Sequence, residues 1–152
     1  METAYILKPQ EGKFSKPYNV LGMPVHLKVA GMDTGGQMSI FIAEYKKNES
    51  PPLHLHDNDE TFYIIDGEFI FQAGDKKFTG KTGDTIFIPR NTPHSTLTVS
   101  ETERMLFTVN PTGNLEKIFE KLDSFKEMPS VEEIVSAHEE LGLKIVGPPL
   151  KL

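Results

Sequence analysis

Through most of this chain apolar residues recur at every second position, in short runs cut by glycine-bearing turns. One hairpin anchors the pattern. Thr61–Ile65 and Glu68–Gln72 flank Asp66-Gly67, a dipeptide that tolerates the positive φ angles of a tight turn. Upstream, Val25, Leu27 and Val29 alternate with His26 and Lys28, and Met38, Ile40 and Ile42 alternate with Ser39, Phe41 and Ala43. Downstream, Gly74-Asp75 marks a second turn, and Thr79–Gly83 carries two more glycines before the apolar run Thr85–Ile88. Pro89 ends that run because it has no N–H to give a ladder. Ser95–Val99 and Arg104–Val109 form a last pair. Many short, evenly spaced strands with no internal repeat predict an all-β sandwich or barrel over about residues 18–110.

The period then changes. Leu115, Ile118, Phe119 and Leu122 fall on one face of a helix, with Asn114 as its expected N-cap. Val131, Ile134, Val135, His138 and Leu141 mark a second helix. Ser130 and Glu133 have the spacing of a capping box, and Gly142 is a fitting stop. Met128-Pro129 separates the two, so the helical segment runs over about 112–142. These helices are expected to cover the outside of the barrel or a partner subunit.

The totals narrow the function. At 152 residues the chain reads as one domain able to bury its own core. A net charge of −6 without a basic run gives nucleic-acid binding little support. Nothing in the sequence reads as a signal peptide or a membrane span, and there is no cysteine for disulfides, thiolate catalysis or thiolate zinc sites. A cytoplasmic location is the default expectation. Asn48-Glu49-Ser50 reads as a solvated turn, and Gly35-Gly36 as a turn with no phosphate loop.

One stretch, Pro51–Gly67, carries chemistry. Side chains at i and i+2 of a strand share a face, so His54 and His56 project together, and Glu60 lies within reach across a short turn. His94, at the start of a later strand, is the candidate fourth member. Three imidazoles and a carboxylate suit one divalent Fe, Mn, Ni, Co, Cu or Zn ion per chain. Four protein ligands leave an octahedral ion two free positions for a small-molecule oxygen and water or dioxygen.

The spacing His54-x-His56-x3-Glu60-x6-Gly67 resembles the first motif of the cupins, and Gly83-x5-Pro89-x4-His94 resembles the second. Fifteen residues, Glu68 to Thr82, separate them, as in small microbial cupins. Asn48, Asn91 and Thr98 stand where the motifs usually have Gly, Gly and Asn, and Asn91 tolerates the left-handed turn. The tail His138–Leu150 is similar to that of single-domain bacterial cupins called quercetinase-like. The resemblance implies a double-stranded β-helix with two short C-terminal helices, and a homodimer paired through sheet faces. It also implies an enzyme of the quercetin-dioxygenase type acting on a small enolic or aromatic oxygenated substrate, with Glu60 as both ligand and catalytic base. Two alternatives stay open: isomerisation, decarboxylation or cyclisation without oxygen, and a non-catalytic module that anchors a ligand through its metal.

Other residues are read as structural first. His26 and His138 are expected to be satisfied or packed histidines. Phe62, Ile64, Phe69 and Phe71 are expected in the core, with only some of them facing a cavity, and Tyr63 points the opposite way from Phe62. Arg90 is expected at the surface, beside the barrel mouth.

Overall fold

The computed structural model describes residues 3–14 and 16–152. Its strands are β1 (Tyr18–Val20), β2 (Met23–Val29), β3 (Ser39–Lys46), β4 (Pro52–Leu55), β5 (Asp59–Asp66), β6 (Glu68–Ala73), β7 (Lys76–Lys81), β8 (Thr85–Ile88), β9 (His94–Thr98), β10 (Thr102–Asn110) and β11 (Lys144–Pro149). Its helices are α1 (Leu115–Asp123) and α2 (Val131–Glu139), with a short 3-10 turn at Gly31–Asp33. One sheet has the order β1-β2-β3-β10-β5-β8 and the other β11-β4-β9-β6-β7. The pairings between these strands are antiparallel, and the two sheets close on each other as the double-stranded β-helix that the alternating pattern predicts.

On β3 both faces are apolar, so alternation alone does not choose the inner one. Ser39, Phe41, Ala43 and Tyr45 turn inward, and Ile40 and Ile42 stay half-buried outside. Aromatic packing decides the choice: Phe41 stacks on Phe107 at 5.0 Å between centroids and meets Phe119 edge-on, also at 5.0 Å. On β5 the expected alternation holds, with Phe62 and Ile64 buried and Tyr63 46% exposed. Gly80 lies within β7 and does not mark a turn. A Cβ there would sit 2.7 Å from Ile64 Cδ1, so the glycine permits close packing.

The helices take a different place from the one expected. They close the barrel mouth and complete the core rather than coating its outside. Leu115, Ile118 and Leu122 are buried, and Phe119 packs against Phe41 and Tyr18. Asn114 precedes α1, but its side chain does not cap it. Its Nδ2 donates to Leu141 O at 2.9 Å and ties the two helices together. The capping box of α2 forms as its spacing predicts: Glu133 N donates to Ser130 Oγ and Ser130 N to Glu133 Oε1, both at 3.1 Å. Beyond Gly142, at φ +86°, β11 adds to the edge of β4, a strand that Gly147 and the Pro148-Pro149 pair hide in the sequence. Among the described residues no helix is long and apolar enough to cross a membrane.

Candidate metal centre

The two histidine-bearing segments meet because β4 and β9 pair with His54 opposite His94. Ring centroids lie 4.5 Å apart for His54–His94, 5.0 Å for His56–His94 and 5.7 Å for His54–His56. One nitrogen from each ring falls within 4.8 Å of the others, a group that could hold a metal ion. Glu60 enters from β5 against two of the three. Its Oε1 lies 3.1 Å from His56 Nε2, close enough for an ion pair though not aligned as a hydrogen bond, and its Oε2 lies 3.8 Å from His94 Nε2. The loops are fixed from outside. Asn91, at φ +61°, donates its N–H to His56 O at 2.8 Å, the left-handed turn expected of an asparagine. Arg90 donates from Nε and Nη2 to the Asp59 carboxylate at 3.2 and 3.1 Å, so this half-exposed arginine buttresses the site and does not line its cavity.

Backbone carbonyls set the tautomers. His54 Nδ1 donates to Pro52 O at 2.7 Å and His94 Nδ1 to Thr92 O at 2.8 Å. A carbonyl only accepts, so both rings carry their proton on Nδ1 and leave Nε2 bare toward the cluster. His94 Nε2 and both ring nitrogens of His56 are buried without a hydrogen-bond partner among the described residues. Unpaired buried nitrogens are costly unless something binds them. Converging bare imidazoles beside a carboxylate fit a divalent cation, which would be held by nitrogen lone pairs.

Burial, then the neighbouring His94, pushes His54 down to about 3, so it stays neutral. Burial opposes a charge on Glu60, but the close His56 and His94 rings outweigh it and hold the carboxyl well below the usual range. His94 moves the other way: burial disfavours its cation, and Glu60 more than compensates.

The cluster lies in a cavity of about 100 Å³ at the barrel mouth. Phe62 and Phe107 line it from the barrel, and Ile118, Phe119 and Leu122 from α1. Of the four residues expected in the core, only Phe62 reaches the cavity; Ile64, Phe69 and Phe71 pack within. Polar residues outside the ligand spacing also join the lining, Tyr45 and His138 among them. Tyr45 arrives on the inward face of β3, and burial, then the charge of Glu60, holds its hydroxyl protonated. His138 arrives from α2, where helical periodicity marks it only as inward-facing. His26 is buried on the other side of its sheet, its Nε2 3.2 Å from Glu44 Oε2.

Residues 41–110, a little under half of the chain, match the cupin domain family. Solved structures share the fold. The polyketide cyclase RemF from Streptomyces resistomycificus aligns with a TM-score of 0.57 at 20% identity, over 72% of this chain and 80% of that one. A predicted oxalate decarboxylase from Thermotoga maritima aligns with a TM-score of 0.57 at 20% identity, over 61% and 87%. KdgF from Halomonas sp. aligns with a TM-score of 0.54 at 15% identity, over 59% and 79%. An uncharacterized protein of Methanocaldococcus jannaschii is 44% identical over 43 residues, 28% of this chain and 34% of that relative's length.

Proposed function

We propose that this chain is a metal-dependent cupin enzyme for a small enolisable oxygen compound, with His54, His56, Glu60 and His94 as ligands of one divalent transition metal. The observation that carries this reading is the set of bare, buried imidazole nitrogens converging beside an ionised carboxylate. When bound, such an ion would act as a Lewis acid on a carbonyl, enol or phenol oxygen. The chain's own residues supply the rest. Pro52 O and Thr92 O hold two rings in the ligating tautomer. Glu60 balances charge and can take the proton of a substrate hydroxyl within reach. Phe62, Phe107 and the α1 residues give the cavity an apolar lining.

Cavity size bears on the substrate. A cavity of about 150 Å³ admits benzene, so the present space suits about six heavy atoms or fewer. A three-ring flavonol exceeds it unless α1 and α2 move aside, which favours a compact enol over quercetin. Consumption of dioxygen, a single-domain chain working in the cytoplasm, and pairing into a homodimer belong to the same proposal. Exposed Tyr63 and Phe87 on the outer sheet face support the dimer.

The test is elemental analysis of untagged protein beside a variant with His54, His56 and His94 all changed to alanine. About one redox-active ion per chain, absent from the variant, leads to oxygen-electrode assays with small enols and quercetin. Zinc with substrate turnover but no oxygen uptake selects the isomerase or cyclase alternative. Failure to load any of the six metals sinks the proposal.

A further inference from the structure

We infer that His138 Nε2 accepts a hydrogen bond from the ligand of this cavity, and that the site therefore selects small oxygen ligands bearing a hydroxyl, of the 2-hydroxy acid or enol type. The ligand's other anchor is the metal centre proposed above, a reading on which this one rests.

His138 is 8% exposed and lines the same cavity as the three-histidine cluster. Its Nδ1 lies 2.6 Å from Ile134 O, one turn back in α2. That carbonyl can only accept, so the ring proton sits on Nδ1 and Nε2 is left as a pure acceptor. Among the described residues no group bonds Nε2, and it is not one of the fully buried unpartnered atoms, so it keeps some accessible surface on a residue that lines the cavity. His26 shows the contrast: its Nε2 is paired with Glu44 and its Nδ1 is sealed. The ring of His138 is held by its backbone as well, because Leu141 N and Leu143 N both donate to His138 O, at 3.1 and 2.9 Å. A fixed, open acceptor on an otherwise apolar cap recognises a donor. Tyr45, also in the lining, presents a hydroxyl and suits a second oxygen.

Lactate and pyruvate test this directly. They have nearly the same size, each fits a space for about six heavy atoms, and they differ in one hydroxyl donor. Zinc stoichiometry of the wild-type protein is measured first, and affinities for both acids are then read by calorimetry on the zinc-loaded protein. The expected result is lactate binding about tenfold tighter than pyruvate, the worth of one hydrogen bond in a dry site. In His138→Leu the ratio falls to near one with zinc retained. His138→Gln, whose amide oxygen can accept, recovers part of it. A second readout needs no variant: the ¹⁵N resonance of wild-type His138 Nε2 shifts when lactate is added and stays in place with pyruvate. A protein that binds zinc but shows no lactate binding, equal affinities or an unmoved Nε2 resonance overturns the role of His138 alone. A protein that binds no zinc overturns the metal centre and this reading with it.

Discussion

Changing Gly67 to alanine isolates why a glycine stands at the end of the first motif. Two costs add there. Gly67 has φ +108°, a region that side-chain-bearing residues enter at about 1–3 kcal/mol. A Cβ would also lie 2.3 Å from both Cγ and Cδ of Glu103. Glu103 cannot easily yield, because it is 2% exposed and its Oε1 accepts N–H bonds from Glu68 at 3.0 Å and Ser100 at 2.8 Å. Losing one charge-assisted bond costs about 1.5–3 kcal/mol. The sum is about 2.5–6 kcal/mol, a large part of a typical 5–15 kcal/mol of stability, so Tm should fall by roughly 5–24 °C. Gly83→Ala is the control: it too has positive φ, +90°, but nothing within 4 Å of the added Cβ, so it bears only the backbone cost. Thermal and urea unfolding of the two variants measure the difference. Glu103→Ala supplies the cycle, since Gly67→Ala should cost less in that background. If Gly67→Ala is no more destabilising than Gly83→Ala, the close approach of Glu103 is not what requires the glycine.

Three further outcomes are expected. Metal at one hundred times its Kd should stabilise the fold by about 2.7 kcal/mol, or roughly 5–11 °C in Tm; a chelator should reverse this and His56→Ala abolish it, and a shift that survives in His56→Ala would argue against the ligand assignment. Asp33 accepts from Lys13 Nζ at 2.7 Å, Tyr5 OH at 2.9 Å and Ala30 N at 3.0 Å, and the Lys13 bond, against the opposing effect of burial, holds its carboxyl below the usual range. The folded carboxyl thus ionises more readily than the unfolded one. Its contribution is present above the ordinary carboxylate range and is lost as pH falls through the lowered value, so Asp33→Asn should cost about 1.5–3 kcal/mol at pH 7 and progressively less below about pH 4 in pH-dependent urea unfolding. Ser130→Ala removes the oxygen that receives Glu133 N and should cost about 1 kcal/mol of stability by chemical denaturation, with metal content unchanged.

The sequence alone determined what local chemistry controls. Asp66-Gly67, Gly74-Asp75 and Gly83 fix the turns because few other residues accept their φ angles. Asn91 takes the left-handed turn for the same reason, and the Ser130–Glu133 box forms because both partners lie within one helical turn. His54 and His56 share a face by strand period, and the second motif's spacing carries His94 to them. Tertiary structure decided whatever depended on a distant partner. The inward face of β3 was settled by Phe107 and Phe119, since both of its faces are apolar. Asn114 does not cap α1 and instead donates its amide to Leu141 O, a partner 27 residues away that local sequence does not reveal. β11 became a strand because β4 offered it an edge, despite glycine and two prolines. The helices went to the mouth of the barrel because Leu115, Ile118 and Leu122 found their burial there, and that docking put His138 beside the three histidines. Helical periodicity says only that His138 faces inward; what it faces is a property of how α2 packs on the barrel.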